Sequence, residues 1–172
     1  MRLATVLLVL SACGESQEAR MASQPATLGD VHYDAPDHWD HHETHEGSRL
    51  VARWAPDGNT DKEVISVFRT ELRADKQGAD ITDMEQMLVE AQRVLPHARP
   101  SDARQLKTAQ GLEAVQIAVD FVPQGHAESY HRVHALVISG SGVVHVLYTA
   151  RTPDPDLRAF RLVLDSIRRE EG

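Results

Sequence analysis

The chain predicts an α+β fold, a mostly antiparallel sheet of about six or seven strands with helices packed on its faces. Three observations carry this. Period-two hydropathy recurs in short runs separated by Gly, Pro, Asn and Asp, as expected of strands joined by turns. Two segments instead repeat at three and four residues behind helix-start signals, one mid-chain and one at the end. Strands that follow one another through short turns pair antiparallel, which leaves the helices to take the faces. At 172 residues the chain is one domain by length.

Residues 14–27 have no apolar period and predict a flexible tether, because such a composition cannot offset its ordering entropy by burial. Leu28 to Tyr33 predicts a first short strand. Pro36, within Ala35-Pro36-Asp37-His38-Trp39, breaks it, since Pro cannot donate to a ladder. Residues 40–48 are polar and predict a loop. Arg49 to Ala55 alternates, Pro56-Asp57-Gly58-Asn59 turns, and Glu63 to Leu72 alternates again. Thr82-Asp83-Met84-Glu85 matches a capping box. Behind it Met84, Met87, Leu88, Ala91, Val94 and Leu95 form one helical stripe, which puts both Met in the core, and Pro96 ends the helix.

Ala103 to Ala109 and Leu112 to Val122 predict two further strands. Ser129 to Ser139 and Gly142 to Ala150 flank Gly140-Ser141, a two-residue hairpin signal. In that register Ser139 opposes Gly142 and Leu136 opposes His145. Val133, Ala135, Val137, Val144, Val146 and Tyr148 share one face, and His134, Leu136, Ile138, Val143, His145 and Leu147 the other. Both faces are largely apolar, so both need cover. Thr152 as cap, Pro153 at the first helical position, and Asp154 and Asp156 near the positive end predict the last helix. Its apolar stripe is Leu157, Phe160, Val163, Leu164 and Ile167, with Arg168 and Arg169 in the last turn.

The N-terminus carries the most specific motif. Arg2, the apolar run Leu3 to Leu10 and the small residues before Cys13 have the three parts of a secretory signal. Leu10-Ser11-Ala12-Cys13 resembles the lipobox of bacterial lipoproteins. That resemblance implies cleavage before Cys13, diacylglycerol on its sulfur, and a lipid-anchored extracytoplasmic domain in the bacterial cell envelope. The run is too short to span a bilayer, which needs about twenty apolar residues. The alternative is a buried segment ending in a cysteine, which the polar Gly14-Glu15-Ser16-Gln17-Glu18 does not suit. The expected organisation is a signal peptide over 1–12, lipidated Cys13 and tether over 13–27, and a single domain over 28–172.

The formal charge is −8, and removing residues 1–12 takes away Arg2 and no acid, giving −9. Such a chain has no electrostatic reason to bind nucleic acid or anionic lipid heads. Cys13 is the only cysteine, so its lipidation leaves no thiol for a disulfide or a nucleophile. No Ser lies in a Gly-x-Ser-x-Gly elbow, and no phosphate-binding glycine motif is present. The chain is expected not to be an enzyme.

Two histidine groups are candidate sites. His38, His41, His42 and His45 interleave with Asp37, Asp40, Glu43 and Glu46, donors suited to Zn or Cu. His42-Glu43-Thr44-His45 is one residue short of the zinc-protease signature. A solvated polar loop and a transition-metal site are both open readings. His134 and His145 are diagonal neighbours on one sheet face, and with Tyr130 they form either a small polar site or ordinary packed histidines. His97, His126 and His131 read as isolated surface or loop residues.

Tyr33-Asp34-Ala35-Pro36-Asp37-His38-Trp39 resembles the opening strand and Pro-x-x-Trp of the PsbP/DcrB-type α/β/α sandwich family. Val144 to Ala150, Phe160 and Leu164-Asp165-Ser166-Ile167-Arg168 resemble its closing strand and helix. The family resemblance implies a mostly non-enzymatic binding or assembly factor; together with the lipobox, the tether and the lack of a catalytic motif it predicts a module for an envelope protein or small ligand, with no cofactor. The histidine-rich stretch is outside the family pattern and supports the alternative, a metal-binding or metal-delivery lipoprotein.

Overall fold

The structure is a computed structural model that describes residues 21–72, 80–140, 142–151 and 155–169. The lipobox, Cys13 and the tether up to residue 20 lie outside the described residues, as do Thr152 and Pro153. The elements run β1 (Ser23–Leu28), β2 (Val31–Pro36), β3 (Trp39–Glu46), β4 (Arg49–Pro56), β5 (Glu63–Glu71), α1 (Ile81–Arg93), β6 (Arg99–Pro100), β7 (Arg104–Lys107), β8 (Glu113–Phe121), β9 (Tyr130–Ser139), β10 (Gly142–Ala150), α2 (Arg158–Ser166) and β11 (Arg168–Arg169).

The fold is α+β. An eight-stranded antiparallel sheet has the order β3-β4-β5-β10-β9-β8-β6, with β7 also paired to β8. A small second sheet, β1-β2-β11, brings the first and last described strands to either side of β2. The β9–β10 hairpin has the register expected from Gly140-Ser141: Ser139 faces Gly142 and Leu136 faces His145. Its two faces therefore divide as the alternation requires. Val133, Ala135, Val137, Val144, Val146 and Tyr148 pack with Phe160, Val163 and Leu164 of α2 and with Val31 and Tyr33 of the small sheet. Leu136 and Val143 pack with Met84 and Leu88 of α1 and with Val115 and Ile117 of β8. No helix among the described residues is long and apolar enough to cross a membrane.

Several expectations are corrected. Residues 23–27 are not tether but part of β1, where Ala26 pairs with Tyr33. The first predicted strand is split by a turn at Gly29 (φ +63°), and β2 extends to Pro36. Residues 40–46 are not a loop. They belong to β3, which pairs with β4 from Trp39↔Pro56 to Glu46↔Arg49. β3 is an edge strand, paired on one side only, so polar residues on both of its faces cost little and hide the strand period. α1 starts earlier than the capping box predicts, because Asp80, not Thr82, is the cap: its Oδ1 accepts from Thr82 N and Asp83 N, both at 2.9 Å. The last helix begins at Arg158 with Leu157 as a cap that makes no side-chain bond. Arg168 and Arg169 lie in β11, paired with His32 and Val31, rather than in the last helical turn. Met84 is core as expected, but Met87 is 57 % exposed.

Candidate functional site

A helix is about 10 Å across and strands lie about 4.8 Å apart, so one helix covers about two strands. α1 packs over β8 and β9. Beside it, towards β10 and β5, an open groove of about 610 Å³ remains. Leu72, Leu136, Val143 and His145 line the sheet side, with Thr70 and Glu71 at its edge. Met84 and Met87 line the helix side, and Asp83, Gln86 and Glu90 form its rim. The helical period explains the arrangement. Met84, Leu88 and Gln92 face the sheet and are buried. Met87, Ala91 and Val94 fall on the flank next to them, and Val94 is 82 % exposed. Asp83 and Glu90, seven residues apart, lie just beyond that flank.

A hydrogen-bonded chain runs under this groove. Gln92 Nε2 lies 3.1 Å from His134 Nδ1. His134 Nε2 lies 3.2 Å from His145 Nδ1, and His145 Nε2 lies 2.9 Å from Thr70 Oγ1. An amide nitrogen only donates, so His134 Nδ1 accepts, and each ring in turn donates through Nε2 to the next acceptor. Gln92 Oε1 is buried without a hydrogen-bond partner among the described residues. Phe68 stacks on His145 at 4.3 Å between ring centroids, and the Arg49 guanidinium lies 4.2 Å over the Phe68 ring.

Burial, then the neighbouring His145 and Arg132, push His134 down to about 3. Burial and the Arg49 charge push His145 down to about 4. Both rings are therefore neutral at pH 7, and every ring nitrogen already has a partner. A general base needs a free nitrogen within reach of substrate and a pKa near the working pH. This pair has neither, so it serves as a polar floor beside the groove. The sequence places the two rings together correctly, but Tyr130 is not with them. It lies by Phe121 and His126, at 5.9 and 5.8 Å between centroids.

The histidines at 38–45 are not brought together. His38 occupies the turn before β3 with φ +66°, beside Asp37. His41 stacks on Trp54 at 4.3 Å, on the face that packs against the larger core. His45 shares that face, and His42 points to the other, since successive strand residues alternate. Among the described residues no three His, Cys, Asp or Glu side chains are placed to hold a metal ion. Of the interleaved acids, Glu46 accepts from Arg49 at 2.9 Å and Arg53 at 2.6 Å, while Glu43 lies 3.8 Å from His41 and Asp37 3.4 Å from His38, each a single acid–histidine pair. His131 is not isolated. Its Nδ1 lies 2.8 Å from Asp120 Oδ1, a cross-strand pair visible only once β8 and β9 are in register.

Sequence reasoning missed the groove, because its stripe merged Met84 and Leu88 with Met87 and Val94. The stripe is about 120° wide, ordinary for a helix packed on a core, so the sequence carries no signal that separates the buried residues from the groove-lining ones.

No protein-family model matches the chain, and no curated protein matches it. Solved structures do. LpqN of Mycobacterium tuberculosis, described as involved in cell envelope biogenesis, is similar with a TM-score of 0.61 and 16 % identity, over 86 % of this chain and 90 % of that one. The cyanobacterial PsbP of Synechocystis sp. PCC 6803 is similar with a TM-score of 0.59 and 17 % identity, over 93 % and 98 %. The Ran-binding protein Mog1p of Saccharomyces cerevisiae is similar with a TM-score of 0.59 and 11 % identity, over 87 % and 96 %. The chain spans 46 % of the length of another similar structure, from Bacteroides thetaiotaomicron, with a TM-score of 0.56 and 12 % identity. At these identities the likeness is one of fold, and the fold is PsbP-like.

Proposed function

We propose that this chain is a non-enzymatic binding module of the cell envelope, lipid-anchored through Cys13, whose groove beside α1 receives an apolar group. The observation that carries the reading is the groove itself: Leu72, Met87, Leu136 and Val143 around an open volume of about 610 Å³, with a polar floor that has no free base. That volume lies within the range of small-molecule and side-chain pockets, about 300–1,000 Å³. Support for the location comes from the lipobox resemblance and from a fold shared with LpqN, whose described role is in envelope biogenesis. Support for a binding role comes from a fold shared with a Ran-binding protein. The metal-delivery alternative needs at least three ligands to meet at one point, and His38, His41, His42 and His45 do not do so in this fold.

Titration with N-phenyl-1-naphthylamine, a neutral apolar fluorophore, tests the groove. Saturable binding that Met87→Gln and Leu72→Gln each weaken at least about tenfold is the expected result. Absence of saturable binding, or binding that neither variant changes, would overturn it. Metabolic labelling with a palmitate analogue tests the anchor, and label that persists in Cys13→Ser would remove it.

A further inference from the structure

The groove's borders specify more than an apolar occupant. Met87, Ala91 and Val94 extend the apolar flank of α1 about two helical turns, beyond the groove towards the C-terminal end of the helix. A compact small molecule has no use for that length, whereas a second helix or extended segment laid along α1 covers it. The flank is bordered on its solvent side by Asp83 and Glu90, and the ionisable lining of the groove among the described residues is Glu71, Asp83, Glu90 and His145, with no Lys or Arg. Glu71 is partly neutralised by Arg69 at 2.7 Å, which leaves Asp83 and Glu90, among the described residues, as the charges that face a visitor. α1 itself carries Asp83, Glu85 and Glu90 against one cation, Arg93. The whole chain has a formal charge of −8. A second copy of the chain, a fatty acid or an anionic lipid head would bring further negative charge to this rim.

We propose that the occupant is a cationic amphipathic segment of a partner protein, laid along α1 with apolar side chains against Met87, Ala91 and Val94 and its Lys or Arg over Asp83 and Glu90. This rests on the groove being the binding site. The apolar contacts supply the affinity, and the acidic rim selects the sign of the partner's charge and speeds its approach.

The probe is a synthetic Leu/Lys amphipathic helix of about the length of α1, roughly 20 Å. Its control is the same peptide with Glu in place of Lys. Binding to the full chain is measured by calorimetry or anisotropy. The Lys peptide is expected to bind. Raising salt from about 0.05 to 0.5 M should weaken it, because the Debye length falls below the charge separations. Met87→Gln, and separately Asp83→Asn with Glu90→Gln, should each weaken it at least about tenfold. All three positions are exposed, so these variants fold. Glu43→Gln with Asp61→Asn, which removes the same charge outside the groove, should leave binding unchanged. The proposal is overturned if the Glu peptide binds as well as the Lys peptide, or if the groove double variant binds no more weakly than the remote one. If the neutral fluorophore fills the groove but the Lys peptide does not bind, this proposal fails while the groove reading stands. If neither binds, both fail.

Discussion

His134 and His145 are buried, and charging either would place a cation in a low-dielectric layer next to the other ring. Their folded pKa values, about 3 and about 4, lie below the ordinary value near 6.5. The unfolded chain therefore binds more protons than the folded one between those limits. Stability from the pair is fully present above about pH 6.5 and is lost as the pH falls towards about 4 for His145 and about 3 for His134. Each histidine that titrates only in the unfolded state contributes a slope of about 1.4 kcal/mol per pH unit. Urea unfolding of His134→Gln should show a slope between pH 6 and pH 5 that is smaller by about that amount than the parent slope. An unchanged slope would mean that His134 titrates normally in the fold. Tyr33 shows the same physics at the other end of the scale. Burial pushes its hydroxyl up to about 12, against the lowering effect of the Trp54 indole, whose N–H donates to it at 3.1 Å.

Two elements show which local signals win. Thr82-x-x-Glu85 is a good capping box, yet α1 starts at Ile81 because Asp80 is a stronger cap and because Ile81 then packs against the smaller core. Asp80→Ala should cost about 1 kcal/mol in urea unfolding, while Thr82→Ala should cost a few tenths. The opposite ranking would restore Thr82 as the cap. The strands that are buried on both faces were legible, because runs such as Val143 to Tyr148 and Val133 to Ile138 have no other use, and Gly140 fixed their register. β3 was not, because an edge strand with exposed faces carries no apolar alternation, and its histidines read as loop composition. β1 was hidden for a related reason: only Leu28 of its residues is buried, so its sequence resembles a tether. The candidate site was half legible. The His134–His145 pair follows from hairpin register alone, whereas the groove depends on which strands α1 leaves uncovered, and that is a tertiary choice.

Across the whole molecule the two faces of the main sheet are unequal. Among the described residues, the core cluster under α2 and the small sheet joins 21 buried residues, including Tyr33, Trp54, Tyr148 and Phe160, whereas the cluster that α1 closes joins six. α1 itself contributes only Met84 and Leu88 as buried apolar side chains. Burying two such side chains yields about 3–6 kcal/mol before the cost of ordering the helix. α2 contributes Phe160, Val163, Leu164 and Ala159 to the larger core and is locked further by Ser166, whose hydroxyl accepts from Asp34 N at 2.8 Å. The molecule should therefore open first at α1, leaving the sheet and α2 intact. Native-state hydrogen exchange should give α1 amides an opening free energy at least about 2 kcal/mol below that of β9, β10 and α2, about a thirtyfold difference in exchange. Equal protection in α1 and β10 would mean that the helix unfolds only with the whole domain. The weakly held helix is also the wall of the groove, so an occupant that seats on Met87 and Val94 should raise α1 protection while leaving β10 at its global value.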